Sequence, residues 1–231
     1  VTDLAAVARA ARAAGARPAV DSSVATPMLT LPLDLGADIV MHSATKYLGG
    51  HSDVLGGALV VKDRELYDKL YFIQNATGAT LSPFDSFLVH RGIKTLAVRV
   101  PAQCQTAMQL ANWLDADSRI ARVLYPGLES HPGHEIAGRQ MEGGFGGMLS
   151  FEVVGDFAKA KRVAEATKLF QLAVSLGAVE SLIEQPAAMS HASYDAADRA
   201  AHGITDGLIR ISVGLEDVDD LKEDLDQALD A

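Results

Sequence analysis

The sequence predicts an α/β protein in two parts: a layer built on a parallel sheet, then a smaller C-terminal α/β unit. Three features point there. Between Thr2 and Met41 the order is helix, strand, crossover, strand, the grammar of a parallel layer. From Lys94 to about Ala116 apolar residues recur at helical spacing, which makes one long connecting helix and sets a boundary near Thr95, dividing the chain into 1–95 and 96–231. Beyond it, strand-like and amphipathic segments alternate again. At 231 residues, 48% hydrophobic and 22% charged, the chain can bury a core as one large or two modest domains.

Taken in order, Thr2 to Ala14 is alanine-rich, with Thr2 or Asp3 as cap and Gly15 as stop, and reads as a helix. Arg17-Pro18 leads into Ala19-Val20-Asp21, a short buried strand ending on a carboxylate. Ser22 to Pro32 has loop composition, and Asp38 to Met41 is the next strand. Gly57 to Lys62 reads as another buried strand. Asp63 caps an amphipathic helix reaching Asn75; Ser82-Pro83 opens a helix that runs through Arg91 and ends at Gly92. Pro101 predicts a kink in the long helix. In the second unit Arg119 to Tyr125, Met148 to Val154 and Leu208 to Val213 read as strands. His134 to Met141, Asp156 to Thr167 and Val218 to Leu229 read as helices.

Thirty acidic against twenty basic residues give a formal charge of −10, which speaks against a nucleic-acid surface. The acidic run near the C-terminus, including Asp219, Asp220, Glu223 and Asp224, reads as a solvated helix face. The single cysteine, Cys104, excludes an internal disulfide and fits a reducing compartment; its helical setting points to packing. No apolar run approaches the ~20 residues that span a bilayer, and no signal sequence opens the chain. A cytoplasmic protein without a membrane partner is therefore expected. His131 and His134 have a metal-like spacing, yet Pro132-Gly133 favours a turn and no third ligand is near, so no metal is expected. Gly143 to Gly147 resembles a phosphate-cradling loop but precedes a strand, which favours a hairpin or bulge.

Ligands in such sheets sit beyond the carboxyl ends of strands, where both Asp21 and the cluster Ser43-Ala44-Thr45-Lys46 fall. A lysine beside a glycine-rich turn is most often a surface cation. Here Ser43 and Thr45 can both bond one phosphate while Lys46 reaches a carbonyl carbon. Neighbouring strands lie ~4.8 Å apart, so the carboxylate and the amine can face opposite ends of one aromatic ring. That set suits pyridoxal 5'-phosphate (PLP): Lys46 as Schiff base, Asp21 against the pyridinium nitrogen, Ser43 and Thr45 on the phosphate. Tyr47 reads as packing, and His51 and Asp53 as shaping the turn.

The segments Asp21-Ser22-Ser23-Val24-Ala25-Thr26-Pro27, Ser43-Ala44-Thr45-Lys46-Tyr47 and Gly50-His51-Ser52-Asp53 resemble the signature of the Cys/Met-metabolism (trans-sulfuration) family of PLP-dependent enzymes. Cystathionine γ-synthase, cystathionine γ-lyase, methionine γ-lyase and the homoserine sulfhydrylases belong to it. The likeness continues through Arg91-Gly92-Ile93-Lys94, Tyr125-Pro126-Gly127-Leu128, Ser175-Leu176-Gly177 and Ile209-Arg210-Ile211-Ser212. It implies a fold-type I enzyme in which residues 1–95 are the C-terminal part of the large PLP-binding domain and 96–231 the small domain. It also implies that Lys46 moves protons, that Arg210 pairs with a substrate α-carboxylate with the backbone around Ser175 assisting, and that the protein is a tetramer of catalytic dimers. Read from the residues alone, Arg210 in an apolar strand is either such a clamp or a structural ion-pair partner.

The activity so implied is γ-elimination or γ-replacement on a sulfur amino acid or an activated homoserine. Substrate signals conflict. Cystathionine enzymes of the family commonly carry a glutamate before the Ser-Leu-Gly turn, where this chain has Val174, a feature resembling methionine γ-lyases and sulfhydrylases. Gly50-His51-Ser52-Asp53 and Gln74-Asn75-Ala76-Thr77-Gly78 resemble the cystathionine enzymes. The family also carries far more chain before the aspartate, and Val1 in place of methionine agrees with a start inside a longer protein. Two other readings therefore stand beside the first: a C-terminal portion unable to hold cofactor by itself, and a fold-type I aminotransferase.

Overall fold

A computed structural model describes residues 1–231. Strands β1 (Ala19–Asp21), β2 (Ile39–Ser43) and β3 (Gly57–Val60) form one sheet in that order. A second sheet holds β4 (Ile120–Leu124), β5 (Met148–Val153), β6 (Gln171–Leu172), β7 (Leu182–Glu184) and β8 (Leu208–Ser212), ordered β4-β5-β8-β7-β6. The protein is thus α/β, with mixed sheets.

Helix α1 (Leu4–Ala13) begins where the Asp3 carboxylate accepts the Ala6 N–H at 2.9 Å, and Gly15 beyond its end turns left-handed at φ 71°. β1 runs parallel to β2 with Asp21 opposite Met41, so β2 carries on past Asp21 and ends on Ser43. β3 departs from the expected parallel order: it pairs antiparallel, with Ser43 opposite Gly57. Neither β1 nor β3 is the buried strand that its apolar residues predict. Each has β2 as its single neighbour, and every residue of β3 is exposed. The Ser22 to Pro32 loop contains a one-turn helix, α2 (Thr26–Leu29), with Pro27 in its first turn.

Asp63 caps α3 (Arg64–Thr77), which buries none of its residues and leaves Tyr71 and Phe72 in solvent. Ser82 caps α4 (Pro83–Ile93) by accepting the Asp85 N–H at 3.0 Å. Gly92 lies inside α4 instead of ending it. A Cβ there would run into the carbonyl oxygen of Gly49, so glycine permits close contact between α4 and the turn after Lys46. Helix α5 (Leu96–Asp115) runs through Pro101 without ending there.

The two ends of α5 serve different neighbours. Leu96, Val100 and Cys104 join Leu29, Ala44, Tyr47 and Leu48 in a cluster of 7 buried residues. Ala107, Leu110, Ala111 and Leu114 join a core of 22, with Phe151, Ile209 and Ile211 from the second sheet. That core is closed by α7 (Phe157–Ala166), capped by Asp156, and by α9 (Val218–Leu229). Asp224 on α9 is not part of a solvated face: it is buried and accepts the N–H groups of Lys168, Leu169 and Phe170 at 2.7 to 3.0 Å. The remaining helices, α6 (His134–Gln140) and α8 (Ala196–Ala201), are short. His131 accepts the Gly133 N–H within a turn, and the Tyr125 hydroxyl donates to the Gly146 carbonyl at 2.8 Å, pinning the glycine loop that leads into β5. No helix is long and apolar enough to cross a membrane.

Candidate active site around Lys46

The ends of β1 and β2 are stitched together by side chains. The Ser23 N–H donates to Asp21 Oδ1 at 2.9 Å, and the Ser43 N–H donates to Ser23 Oγ at 2.6 Å. After Ser43, residues Ala44–Leu48 make one wide helical turn in which Lys46 leaves helical geometry at φ −90°, ψ −131°. The Gly50 N–H closes on the Lys46 carbonyl at 2.7 Å. Thr45 Oγ1 accepts the Gly56 N–H at 3.0 Å, tying the turn to the start of β3.

Arg99 on α5 fastens the turn from behind. Its Nη2 donates to the Tyr47 carbonyl at 3.0 Å and the Gly92 carbonyl at 2.9 Å, and Nε donates to Thr95 Oγ1 at 2.9 Å. Tyr47 is buried packing, as its apolar neighbours predict, and burial pushes its phenol far above the usual tyrosine range.

The Lys46 amine donates to Ser175 Oγ at 2.9 Å, and Arg210 Nη2 donates to the Ser175 carbonyl at 3.0 Å. One residue thus meets both cations. Arg210 Nη1 also lies 3.1 Å from Glu184 Oε1. Partial burial holds the Lys46 amine below the usual lysine range, the Arg210 charge adds to that, and the Glu184 carboxylate opposes it. The segment bearing Ser175 is itself fixed against the Lys46 turn. The Val179 N–H donates to the Gly50 carbonyl at 2.9 Å, and Gln103 Nε2 donates to the Ala178 and Val213 carbonyls at 2.8 and 3.0 Å. Gly177, at φ 80°, sits so close that an added Cβ would lie 2.7 Å from the Tyr47 backbone nitrogen.

Asp21 lies exposed at the end of β1, with His42 nearby; burial lowers the imidazole pKa, against the Ser22 backbone bond and the Asp21 charge. The structure therefore brings Lys46, Ser175 and Arg210 into contact and links Asp21 to Ser43 through Ser23, while the Thr45 hydroxyl is held by Gly56. Glu184, Arg99 and Gln103 were not read from the sequence. The signal available for them was a charged or amide side chain inside an apolar run, as in Leu182-Ile183-Glu184.

The family described as Cys/Met metabolism PLP-dependent enzyme matches residues 1–230. The chain belongs to that family. This member is 53% identical over 230 residues to cystathionine beta-lyase of Coxiella burnetii, covering 99% of the chain and 59% of the relative. It is 53% identical over 230 residues to cystathionine gamma-lyase of Dictyostelium discoideum, covering 100% of the chain and 59% of the relative. A crystal structure of cystathionine gamma synthase from Xanthomonas oryzae pv. oryzae, in complex with aminoacrylate and cysteine, superposes with a TM-score of 0.96 at 48% identity, covering 100% of this chain and 59% of that one. This family member spans about three fifths of the length of the curated relatives it matches, 59% in both. Its fold is that of these PLP-dependent enzymes.

Proposed function

We propose that the protein uses PLP to break or form a carbon–sulfur bond at Cγ of a sulfur amino acid or an activated homoserine, as a cystathionine γ-lyase or γ-synthase does. The observation that carries this reading is the meeting of the Lys46 amine and the Arg210 guanidinium at Ser175, at 2.9 and 3.0 Å. A nucleophilic amine beside an anion clamp is what an amino-acid substrate on a carbonyl cofactor requires.

The residues present fit PLP: an amine held below the usual lysine range, an exposed carboxylate on the adjacent parallel strand, and hydroxyls at the strand end between them. PLP, when bound, supplies an electron sink that makes protons next to the amino group of an amino acid labile. Lys46 would hold the cofactor's carbonyl carbon, and its amine, once displaced from that carbon by the substrate amine, would be free to take and return protons at Cα and Cβ. Asp21 would stand against the pyridinium nitrogen and favour its protonated form. Ser43 and Thr45 serve the phosphate. Arg210 holds the α-carboxylate with Ser175 beside it.

In this reading residues 1–95 are the C-terminal part of the large PLP-binding domain, 96–231 are the small domain, and the protein works in the cytoplasm as a tetramer of catalytic dimers. The exposed aromatics Tyr67, Tyr71, Phe72, Phe84 and Phe87 on α3 and α4 support an assembly that covers them. The bare face of β3 favours a second reading, in which this polypeptide keeps the fold but needs further chain to hold PLP.

Thiol release from cystathionine and from methionine, and thiol consumption with O-acylhomoserine, test the proposal in the PLP-loaded protein. The expected result is turnover of at least one γ-substituted substrate that K46A abolishes. Turnover that survives K46A, or transamination with no thiol released or consumed, contradicts it.

A further inference from the structure

We propose that Glu184 is a positioning residue for substrate recognition: it holds the Arg210 guanidinium at the subsite for the amino acid's α-carboxylate. The inference rests on the reading of Arg210 as that clamp.

β7 and β8 run antiparallel with Glu184 directly opposite Arg210, so their side chains project from one face of the sheet. The two ends of the pair are unequal: the Glu184 side chain is 1% exposed and that of Arg210 28%. A carboxylate this buried is costly unless it is paired and hydrogen-bonded. Glu184 Oε1 receives Arg210 Nη1 at 3.1 Å and the Ser190 hydroxyl at 3.0 Å, while Oε2 is buried with no partner. Here the anion is an inner anchor and the cation reaches towards Lys46.

Arg210 is gripped on two arms, Nη1 by Glu184 and Nη2 by the Ser175 carbonyl at 3.0 Å. Two points fix the plane of the guanidinium and leave its Nε–H and remaining Nη hydrogens for an incoming carboxylate. The strands behind the pair are braced: Glu216 accepts the Ser181 N–H and hydroxyl at 2.7 and 2.8 Å, and Ser181 Oγ accepts the Gly214 N–H at 2.8 Å. Glu184 thus sets the direction of the clamp without touching substrate.

The test compares E184Q, E184L, S190A and R210K in the PLP-loaded protein, using an amino-acid substrate and its α-carboxamide. In E184L the KM for the amino acid rises ~10-fold or more, kcat changes less than about three-fold, and the preference for carboxylate over carboxamide narrows by the KM factor. E184Q, which keeps the shape and loses the charge, falls between. The pyridoxyl label left on Lys46 by borohydride reduction is unchanged, a readout independent of turnover. If E184L fails to fold, E184Q and S190A carry the test through the same KM and carboxamide ratios. An unchanged KM and ratio in the Glu184 variants and S190A, with R210K raising KM, overturns the inference alone. If R210K also leaves both unchanged, the reading of Arg210 falls with it.

Discussion

The two sheets of this molecule are built to different standards. The C-terminal sheet closes over a core of 22 buried residues, and all three residues of β7 are buried. The N-terminal sheet carries Asp21, Ser43 and Lys46 but rests on a cluster of 7, with β3 open to solvent along its whole length. The chemistry-bearing side is therefore the weakly packed one. It is tied from across the seam by Arg99 on α5 and by the bond from Val179 to Gly50, with Gln103 holding the neighbouring Ala178 carbonyl in place. Stability and site geometry are thus separable, and substitutions on each side sharpen or break that separation.

The largest effect belongs to the C-terminal core. Phe151 is fully buried, and F151A costs about 3–5 kcal/mol by the loss of apolar contact and the cavity left behind. Denaturant unfolding measures it. A next, smaller effect belongs to the seam: R99A removes the side-chain donor of the Tyr47 carbonyl, at about 1–3 kcal/mol, while the Gly92 carbonyl keeps the Thr95 N–H and hydroxyl. Hydrogen exchange should quicken at residues 44–50 while 208–212 stay protected. Equal quickening in both sheets would break the comparison.

At Lys46 itself the expected effect is on protonation. Its pKa is lowered, so at any given pH more of it is free amine than for an ordinary lysine. Acylation of Lys46 followed by peptide mass should rise to half-maximum below pH ~10.4, the ordinary lysine value. Loss of the Arg210 charge in R210Q should move that midpoint up. The smallest change in folding stability is at the open face: Y71S alters it by no more than about 0.5 kcal/mol, because α3 buries nothing. In the assembly proposed above, the same substitution weakens self-association, which sedimentation reads.

Local chemistry made much of this legible. The caps at Asp3, Asp63, Ser82 and Asp156, and the strand that delivers Ser43, follow from side chains that act within a few residues of themselves. What escaped depends on distant partners. The reversed direction of β3 is decided by pairing with β2, and the exposure of β1 and β3 by the lack of a second neighbour. β6 and β7 are too short for an alternating pattern, and α8 is a single capped hexapeptide. At the site, Lys46, Asp21, Ser43 and Thr45 stand out because reactive types cluster at strand ends. Glu184 meets Arg210 only through sheet register, which single-residue chemistry does not reveal. Gly92 looked like a helix stop because its true constraint, the Gly49 carbonyl, lies on another element.

The central claim is that the Lys46 amine, set low and poised against Ser175, is the seat of PLP chemistry. Incubation with PLP, borohydride reduction and peptide mass mapping tests it most directly. The account predicts one pyridoxyl adduct, on Lys46, that is lost in K46A with the other lysines unlabelled. An adduct on Lys62 or Lys69 in its place, with Lys46 unmodified, would contradict it.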